Sequence, residues 1–245
     1  MHRFYADERG IAGGVAYLPR EDAQHAARVL RMKPGEQAEL FCDGRRYLAE
    51  MADLTADEVS LRVLSELPST EARLRITLYQ GLPKADKMEL IVQKAVELGA
   101  DTVVPVAMSR CVVKLDGKDA VKKQERWQKI AREACKQSGR CRELTVAAPL
   151  PVRLLPKALA SHDAAIVPWE DAHQVSLTAF RREHPEVTSL GIVIGPEGGM
   201  SAEEIAMMQD AGCVPVTLGP RILRTETAGL CAVSALLCLY GDMEA

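Results

Sequence analysis

From residue 75 onward the sequence alternates between short apolar runs and longer amphipathic segments, and this alternation limits the folds open to the chain. RITLYQGL (75–82) resembles a strand, DKMELIVQKAVELGA (86–100) has apolar residues at helical spacing, and TVVPVA (102–107) is again strand-like. Three further runs of strand length follow at 164–168, 191–195 and 214–218. This pattern predicts an α/β fold whose parallel sheet is covered by helices on both faces and binds ligands in loops after its strands. The helix at 86–100 is expected to bury Met88, Ile91, Val92, Ala95 and Val96.

The N-terminal region has a different pattern, one typical of a small β-rich domain. The runs AELFC and RRYLAEM lie on either side of Asp43 and Gly44, and strand-like runs around Asp-Gly are a strong hairpin signal. A helix is predicted at Glu21–Met32, ended by Pro34-Gly35. We therefore expect a small β-barrel that carries one helix.

The boundary between these two patterns lies in a short polar segment. SELPSTEAR (65–73) contains a proline and has the composition of a linker. A chain of 245 residues has room for one small and one larger domain. We expect an N-terminal domain at residues 1–70 and a C-terminal domain at residues 73–245.

Charge is unevenly distributed along the chain, although the net charge is only −3. Residues 73–142 contain 16 Lys and Arg against 8 Asp and Glu, so this segment carries +8 and the remainder −11. Part of the excess lies on a basic helix predicted at 121–138. This asymmetry favours a polyanionic partner such as nucleic acid. The alternative is a solvated helix surface with ion pairs such as Glu125 with Lys129.

Membrane, metal and disulfide signals are weak in this sequence. No stretch approaches the roughly 18 apolar residues of a membrane span, and the N-terminus MHRFYADERG lacks the apolar core of a signal peptide. We expect a cytoplasmic protein with no metal, because the histidines show no ligand spacing and the cysteines form no CxxC pair. The cysteines are predicted to be buried thiols: Cys42, Cys111, Cys135, Cys141, Cys213, Cys231 and Cys238.

The stretch GIVIGPEGGMSAEEI (191–205) predicts a strand, a bare loop and a helix start in succession. Its glycines leave backbone open to a ligand: Gly195, Gly198 and Gly199. Ser201 and Glu204 are spaced as a capping box. A dinucleotide or triphosphate is disfavoured, because neither GxGxxG nor GxxxxGK[ST] occurs and Glu197 would repel a phosphate. A carboxylate beside exposed carbonyls suits a positively charged ligand such as S-adenosylmethionine, and a tight turn without a ligand is the alternative.

A second loop of the same kind follows the next strand, within LGPRILRTETAGL (218–230). Its charged and hydroxyl residues are Arg221, Arg224, Thr225, Glu226 and Thr227. Uncompensated charge at the mouth of a buried helix is costly, so this concentration indicates a site. The arginines are expected to pair with a phosphate or with developing negative charge, and the threonines to cap the helix. Structural ion pairs of Arg224 or Glu226 are the alternative.

The last predicted helix, at about 227–240, is apolar nearly all round. A helix without a polar face must be covered on every side. The sheet covers one side, and the pattern is compatible either with a second subunit on another side or with a central helix of a monomer.

The two loop motifs, IGPEGGMSAEEI and LGPRILRTETA, closely resemble the ribosomal small-subunit methyltransferase E family, which belongs to the SPOUT class of knotted methyltransferases. The likeness extends over the chain, from HRFY through KADKMELIVQKAVELG and SRCVVK to EACKQSGR. It implies a PUA-like N-terminal barrel, a C-terminal α/β domain threaded through a trefoil knot, and a homodimer. The implied reaction is transfer of a methyl group from S-adenosylmethionine to N3 of a uridine in 16S rRNA, in the decoding region of the small ribosomal subunit.

The resemblance also implies which residues hold the cofactor. A third loop, VPWEDAH (167–173), should complete the adenosine pocket, although the motif assigns no role to Trp169. The implied cofactor contacts are Pro168, Ile194, Gly195, Pro196, Glu197, Gly198, Gly199, Leu218, Gly219, Ile222, Leu223, Arg224, Thr225, Thr227 and Ala228.

The chemistry of uracil suggests catalytic roles within these loops. N3 lies on the pairing edge and carries a proton, so the base must be unpaired and must lose that proton. Our hypothesis is that Arg224 stabilises the uridine anion at O2 or O4, and that Glu226 or Glu197 orients the base or accepts the proton.

Candidate RNA contacts follow from charge in the C-terminal domain and from the resemblance in the N-terminal one. The former are Lys84, Lys87, Lys94, Arg110, Lys136 and Arg140, and the latter include Arg3, Arg28 and Arg31. Two alternatives stay open: a methyltransferase of the same class that acts on a ribose 2′-hydroxyl or on tRNA, and an RNA-binding assembly factor without activity.

Overall fold

The computed structural model describes residues 1–55, 58–172 and 174–243. The chain forms two units, and the first is completed by a segment from the middle of the sequence. The first unit comprises residues 1–71 and 135–143, and the second comprises residues 72–134 and 144–245.

The described part of the first unit contains a six-stranded sheet. Its strands are β1 His2–Tyr5, β2 Ile11–Ala12, β3 Val15–Tyr17, β4 Gln37–Cys42, β5 Arg45–Leu54 and β6 Val59–Leu67. They follow the order β1-β4-β5-β6-β3-β2, in which only the β1–β4 pair is parallel. The predicted hairpin is confirmed as β4–β5, and its turn residues Asp43 and Gly44 have φ angles of 50° and 74°. Both angles are the positive values that a two-residue hairpin turn needs.

The helix of this unit differs from its prediction. It is an α-helix, α1, only over Arg20–Gln24, and it continues as a π-helical turn over His25–Val29. Leu30 N–H donates to the carbonyl of His25, five residues earlier. The wider turn ends at Arg31, whose φ is 53°, and the chain then brings the buried side chain of Met32 back to the core. The predicted helix is therefore confirmed to Val29, with a π-helical second part, and its predicted end at Met32 is wrong.

The second unit is built on a seven-stranded sheet in the described residues, and every strand pair in it is parallel. Its strands are β7 Arg75–Gly81, β8 Thr102–Ala107, β9 Thr145–Val146, β10 Leu150–Pro151, β11 Ala164–Pro168, β12 Ser189–Ile194 and β13 Val214–Val216. The order is β10-β8-β7-β12-β11-β13, with β9 also beside β8. The predicted parallel α/β fold is confirmed.

Helices connect these strands, and their bounds lie close to the predicted ones where the pattern was strong. They are α2 Lys87–Leu98, α3 Gly117–Ser138, α4 Leu155–Leu159, α5 Leu177–Glu183, α6 Ala202–Asp210 and α7 Thr225–Leu239. Helix α2 buries all five residues predicted for its inner face and ends at Gly99, whose φ of 106° is the left-handed cap that glycine adopts most readily. The short elements β9, β10, α4 and α5 carry little periodicity and were not predicted.

Helix α7 corrects two predictions about exposure. It packs on α2 and β12, and Gly229, Val233 and Leu236 are among its buried residues, but Thr227, Cys231 and Cys238 are exposed at spacings of four and seven residues. The expectation that every cysteine is buried is therefore wrong for Cys231 and Cys238, and the helix has one uncovered face of small residues. No helix among the described residues has the length and apolar character needed to cross a membrane.

Candidate functional site

The first glycine loop follows β12 directly and ends in the predicted capping box. Ser201 Oγ accepts from Glu204 N–H at 3.2 Å, and Glu204 Oε2 accepts from Ser201 N–H at 2.9 Å, so two unpaired amides at the start of α6 are satisfied. The other oxygen of Glu204 accepts from Ser109 N–H at 2.8 Å, which fixes the loop after β8 against α6. Gly199 has a φ of 70°, a conformation that other residues adopt with strain.

The second glycine loop follows β13 and leads into α7. Gly219 has a φ of 99°, and its N–H donates to Thr217 Oγ1 at 3.1 Å. Arg224 is the N-cap residue of α7, with no side-chain capping bond. The prediction that the threonines cap this helix is therefore wrong, because the hydroxyl of Thr225 is used elsewhere and Thr227 lies on the exposed face.

A buried chain of hydrogen bonds joins the two loops beneath the surface. Gln80, at the end of β7, is fully buried, and its Nε2 donates to Thr225 Oγ1 at 2.8 Å. Because an amide nitrogen only donates, the Thr225 hydroxyl must donate onward, and it bonds to the carbonyl of Gly195 at 2.6 Å. This chain fixes the start of α7 relative to the first loop.

The end of β7 also touches the first loop through backbone. A Cβ placed on Gly81 would lie 2.7 Å from the backbone nitrogen of Pro196, a distance that a real side chain does not reach. Glycine at position 81 is thus what allows β7 and the first loop to approach so closely.

A lysine joins a carboxylate of the first loop to a carboxylate in the first turn of α7. Lys87, in the first turn of α2, places its Nζ 3.0 Å from Glu197 Oε1 and 3.0 Å from Glu226 Oε2. Hydrogen bonds to Glu197 and then to Glu226 raise the pKa of Lys87. Burial opposes ionisation of Glu197, but hydrogen bonds from its own amide, from Lys84 N–H and from Lys87 outweigh it and lower its pKa. The pKa of Glu226 is lowered mainly by its own amide, with Lys87 contributing, so this three-residue cluster is fully ionised near neutral pH.

The two loops and the loop after β11 enclose a cavity of about 760 Å³, which is within the usual range for a small-molecule site. All residues predicted to bind the cofactor line this cavity except Thr227. Of the predicted catalytic residues, Arg224 and Glu197 line it, and Glu226 reaches it only through Lys87. Lining residues that were not predicted as cofactor contacts are Lys87, Trp169, Glu170, Met200, Thr217, Pro220 and Arg221.

For two of these additional lining residues, Trp169 and Lys87, the sequence contains features that indicate a position near the site. Trp169 directly follows a strand end, which is where a parallel sheet places its binding loops, and its N–H donates to Val216 O at 3.1 Å. Lys87 opens a helix after a strand, but its basic surroundings led to its prediction as a phosphate contact. His173, at the end of the third predicted loop, lies outside the described residues.

The predicted RNA contacts differ in how available their charges are. In the second unit, Lys84 is exposed, Arg110 is exposed but donates to the carbonyl of Gly198 at 3.2 Å, and Lys94 is paired with Glu97 at 2.8 Å. In the first unit, Arg28 and Arg31 are exposed. The remaining predicted contacts of that unit are engaged within it: Arg3 with Glu39 and the carbonyl of Gln137, Lys136 with Asp22, and Arg140 with Glu71.

Arg140 is the clearest case of an engaged charge. Its side chain is only 5% exposed, and it donates to Glu71 at 2.7 to 3.1 Å. Its place in the fold is therefore that of a buried ion-pair partner. Among the described residues, no group of three or more His, Cys, Asp or Glu side chains is arranged to hold a metal ion.

Comparison with known proteins follows the same division of the chain. Residues 70–237 match a family described as "RNA methyltransferase domain", and residues 18–64 match one described as "RNA methyltransferase PUA domain". A protein of Bacillus subtilis named ribosomal RNA small subunit methyltransferase E is 39% identical over 88% of this chain and 87% of its own length. A protein of Mycobacterium bovis with the same name is 36% identical over 99% of this chain and 93% of its own length. The crystal structure of such a methyltransferase from Neisseria gonorrhoeae, bound to S-adenosyl methionine, superposes with a TM-score of 0.85 at 36% identity and covers 99% of both chains.

Proposed function

Because the chain belongs to the ribosomal RNA small subunit methyltransferase E family, we propose that it transfers a methyl group from S-adenosylmethionine to N3 of a uridine in 16S rRNA. The observation that carries this proposal is the cavity between two glycine loops, whose wall combines bare backbone, the carboxylates of Glu170 and Glu197, and the cations of Lys87, Arg221 and Arg224. The substrate is the RNA of the small ribosomal subunit, and the protein acts in the cytoplasm.

The residues present fit S-adenosylmethionine. The cavity has the volume of a ligand site, and the Glu197 carboxylate beside the exposed backbone of the first loop suits the ammonium or the sulfonium of this ligand. Gly195 and Gly198 bring backbone close to the cavity, and a Cβ at Gly198 would lie 3.1 Å from Arg110. When bound, the cofactor supplies a methyl group to N3, and the electrons of the broken carbon–sulfur bond remain on sulfur as a neutral thioether.

The chain's own residues must make N3 nucleophilic. The N3–H bond breaks, its electron pair stays on the ring, and the proton passes to the Glu197 carboxylate and then to water; Glu197 lines the cavity, unlike Glu226. The negative charge left on the ring is shared by O2 and O4, where Arg224 donates. Holding the unpaired base against the cavity makes the methyl transfer effectively intramolecular, which lowers its entropic cost.

The test is methyl transfer to small ribosomal subunits isolated from a strain that lacks the corresponding gene. With the wild-type protein and labelled S-adenosylmethionine, we expect one N3-methyluridine per subunit by nuclease digestion and mass spectrometry. Arg224→Ala is expected to lower the rate by about 10²–10³-fold, the usual loss for a group that stabilises developing charge, with cofactor binding largely kept.

Other outcomes of this experiment separate the alternatives. A 2′-O-methyl nucleoside or a labelled tRNA would replace the proposed target with another RNA site. Binding of RNA without cofactor binding in calorimetry would indicate an assembly factor instead of an enzyme. Full activity of Arg224→Ala would remove that residue from the mechanism.

We also propose that the protein is a homodimer in which the uncovered face of α7 meets a second copy. The small residues Thr227, Cys231 and Cys238 on this face permit close packing of two helices around a two-fold axis. Sedimentation equilibrium should give twice the chain mass of 26.7 kDa for the wild type and the monomer mass for Cys231→Arg. A monomeric wild type would refute this arrangement.

The chain path is compatible with the trefoil knot of the SPOUT class, which we propose for the second unit. From the central strand β12 the chain crosses to β13 at the edge of the sheet and then returns through α7 to β12 and β7. Pulling the termini apart in an optical trap should leave an extended length shorter than that of an unknotted chain, because a tightened knot retains residues. We further propose that the first unit, which matches the PUA domain, binds RNA through the exposed Arg28 and Arg31.

A further inference from the structure

The side chain of Lys87 has a bonding pattern that a simple phosphate contact does not explain. Its ammonium lies 3.0 Å from the Glu197 carboxylate of the first loop and 3.0 Å from the Glu226 carboxylate in the first turn of α7, and the side chain is 30% exposed while it lines the cavity. A lysine that neutralises RNA backbone phosphate is usually solvated and free to move. Lys87 is instead fixed at the wall of the cavity.

The number of N–H donors on Lys87 shows how many remain for a ligand. An ammonium carries three N–H groups and no acceptor. The ammonium forms ion pairs with Glu197 and Glu226, each at 3.0 Å, although Glu226 Oε2 is buried without a hydrogen bond of good geometry, and no third partner of this ammonium lies within the described part of the chain. One charged donor is therefore available to a molecule in the cavity.

The state of the two carboxylates explains why such a donor is needed. Both are held in the ionised form by hydrogen bonds, which lowers their pKa values and makes them weak bases. A weak base removes the N3 proton only if the resulting anion is stabilised on its oxygens. Uracil carries this charge on two oxygens, O2 and O4, and the proposed mechanism so far assigns only Arg224 to stabilise it.

We propose that Lys87 donates its third N–H to a carbonyl oxygen of the uracil ring, so that Lys87 and Arg224 together stabilise the anion formed when N3 loses its proton. This inference rests on the proposed function and adds a second catalytic cation. It also adds specificity: cytosine has an amino group in place of O4, and whichever of the two cations lies beside that position cannot accept its N–H donors.

The test compares Lys87→Met, Lys87→Arg and a matched control, Lys157→Met, an exposed lysine of α4 in the same unit. We expect Lys87→Met to reduce single-turnover methyl transfer by about 10²–10³-fold and Lys87→Arg to restore part of the rate, because a charged donor is retained. The defect of Lys87→Met should shrink as the pH rises, since more of the uridine is then ionised without help. The control variant should transfer at the wild-type rate.

Two binding measurements distinguish this role from the others. S-adenosylmethionine should bind Lys87→Met at least as tightly as wild type, because the cavity wall becomes one charge more negative; loss of binding would mean that Lys87 only holds the loops together. The slope of log K for RNA against log salt should not change, whereas a lost phosphate contact would reduce it by about 0.7–0.9.

The outcomes also separate this inference from the proposed function. An active wild type with an equally active Lys87→Met would refute the role of Lys87 alone. A wild type that binds S-adenosylmethionine but methylates no RNA would refute the proposed function itself.

Discussion

Two clusters in this protein each pair a basic residue of segment 73–142 with one or two glutamates. They differ in whether the basic residue keeps a donor for a ligand. In the first unit, Glu71 accepts from Arg140 and from the backbone amides of Cys141 and Arg142, with both side chains less than 10% exposed. In the second unit, Lys87 lies between Glu197 and Glu226 at the edge of a cavity, and among the described residues its ammonium has no third partner. In the first cluster the Glu71 carboxylate has several hydrogen-bond donors and is buried in the fold. In the second, the Lys87 ammonium can still donate to a ligand in the cavity.

The difference shows that charge alone does not identify a functional residue. Arg140 and Lys87 were both predicted as phosphate contacts because they lie in the same basic segment of the sequence. Neither is displayed as a free surface charge in the structure, one because it is buried and the other because it bridges the first loop and α7. What separates them is the number of donors left after the internal bonds are counted.

The largest expected effect is on stability, in the cluster of Glu71 and Arg140. Replacing Arg140 by Met leaves the Glu71 carboxylate buried without its main partner, and breaking such a pair costs about 3–5 kcal/mol. Urea denaturation followed by circular dichroism should show this loss for Arg140→Met. Lys87→Met should lose clearly less stability than Arg140→Met, because its partners are 24% and 16% exposed and its own side chain is 30% exposed, so water screens these ion pairs. Equal losses in the two variants would contradict the distinction.

The features of the fold that could be predicted from sequence are those that depend on residues close together in the chain. Local patterns were sufficient for the parallel sheet, for α2 with its inner face, for the Asp43-Gly44 turn and for the Ser201–Glu204 capping box, because each depends on residues that are close in sequence. The residues predicted from the two loop motifs came together at one cavity, except Thr227 and Glu226, and Glu226 contacts the cavity wall through Lys87.

The features that sequence missed depend on contacts between distant residues. The bond from Gln80 to Thr225 joins positions 145 residues apart, and the contact of Arg140 with Glu71 joins positions 69 apart. No periodicity or motif encodes such pairs, so the roles of Gln80, Arg140 and Lys87 needed the structure. The exposure of Cys231 was also missed, since an apolar helix gives no sign of which face its own chain leaves open.

A smaller effect is expected where the site is held together by neutral groups. Thr225→Val removes the hydroxyl that accepts from Gln80 and donates to Gly195, leaving a buried donor and a carbonyl without their partner. The expected loss is about 1–3 kcal/mol of stability, together with weaker binding of S-adenosylmethionine in calorimetry. Thr178→Val, at an exposed position of α5, serves as the control and should change stability by no more than about 0.5 kcal/mol. Retention of full cofactor affinity by Thr225→Val would show that the loops keep their arrangement without this bond.

The smallest effect concerns how the carboxyl groups of the two clusters titrate. Burial raises the pKa of Glu71, but hydrogen bonds and the charge of Arg140 outweigh it, so its folded value lies below the usual 4.5. A lowered folded pKa means that the stabilisation is present above the unfolded value and is lost as the pH falls through the folded one; one proton accounts for no more than about 1.4 kcal/mol per pH unit. NMR titration of ¹³C-labelled glutamates should show that Lys87→Met raises the midpoints of Glu197 and Glu226, because the ammonium helps to lower both. The midpoint of Glu71 should stay unchanged in that variant, since Lys87 is absent from its interactions; a parallel rise of all three would mean that the variant disturbs the whole fold instead of one cluster.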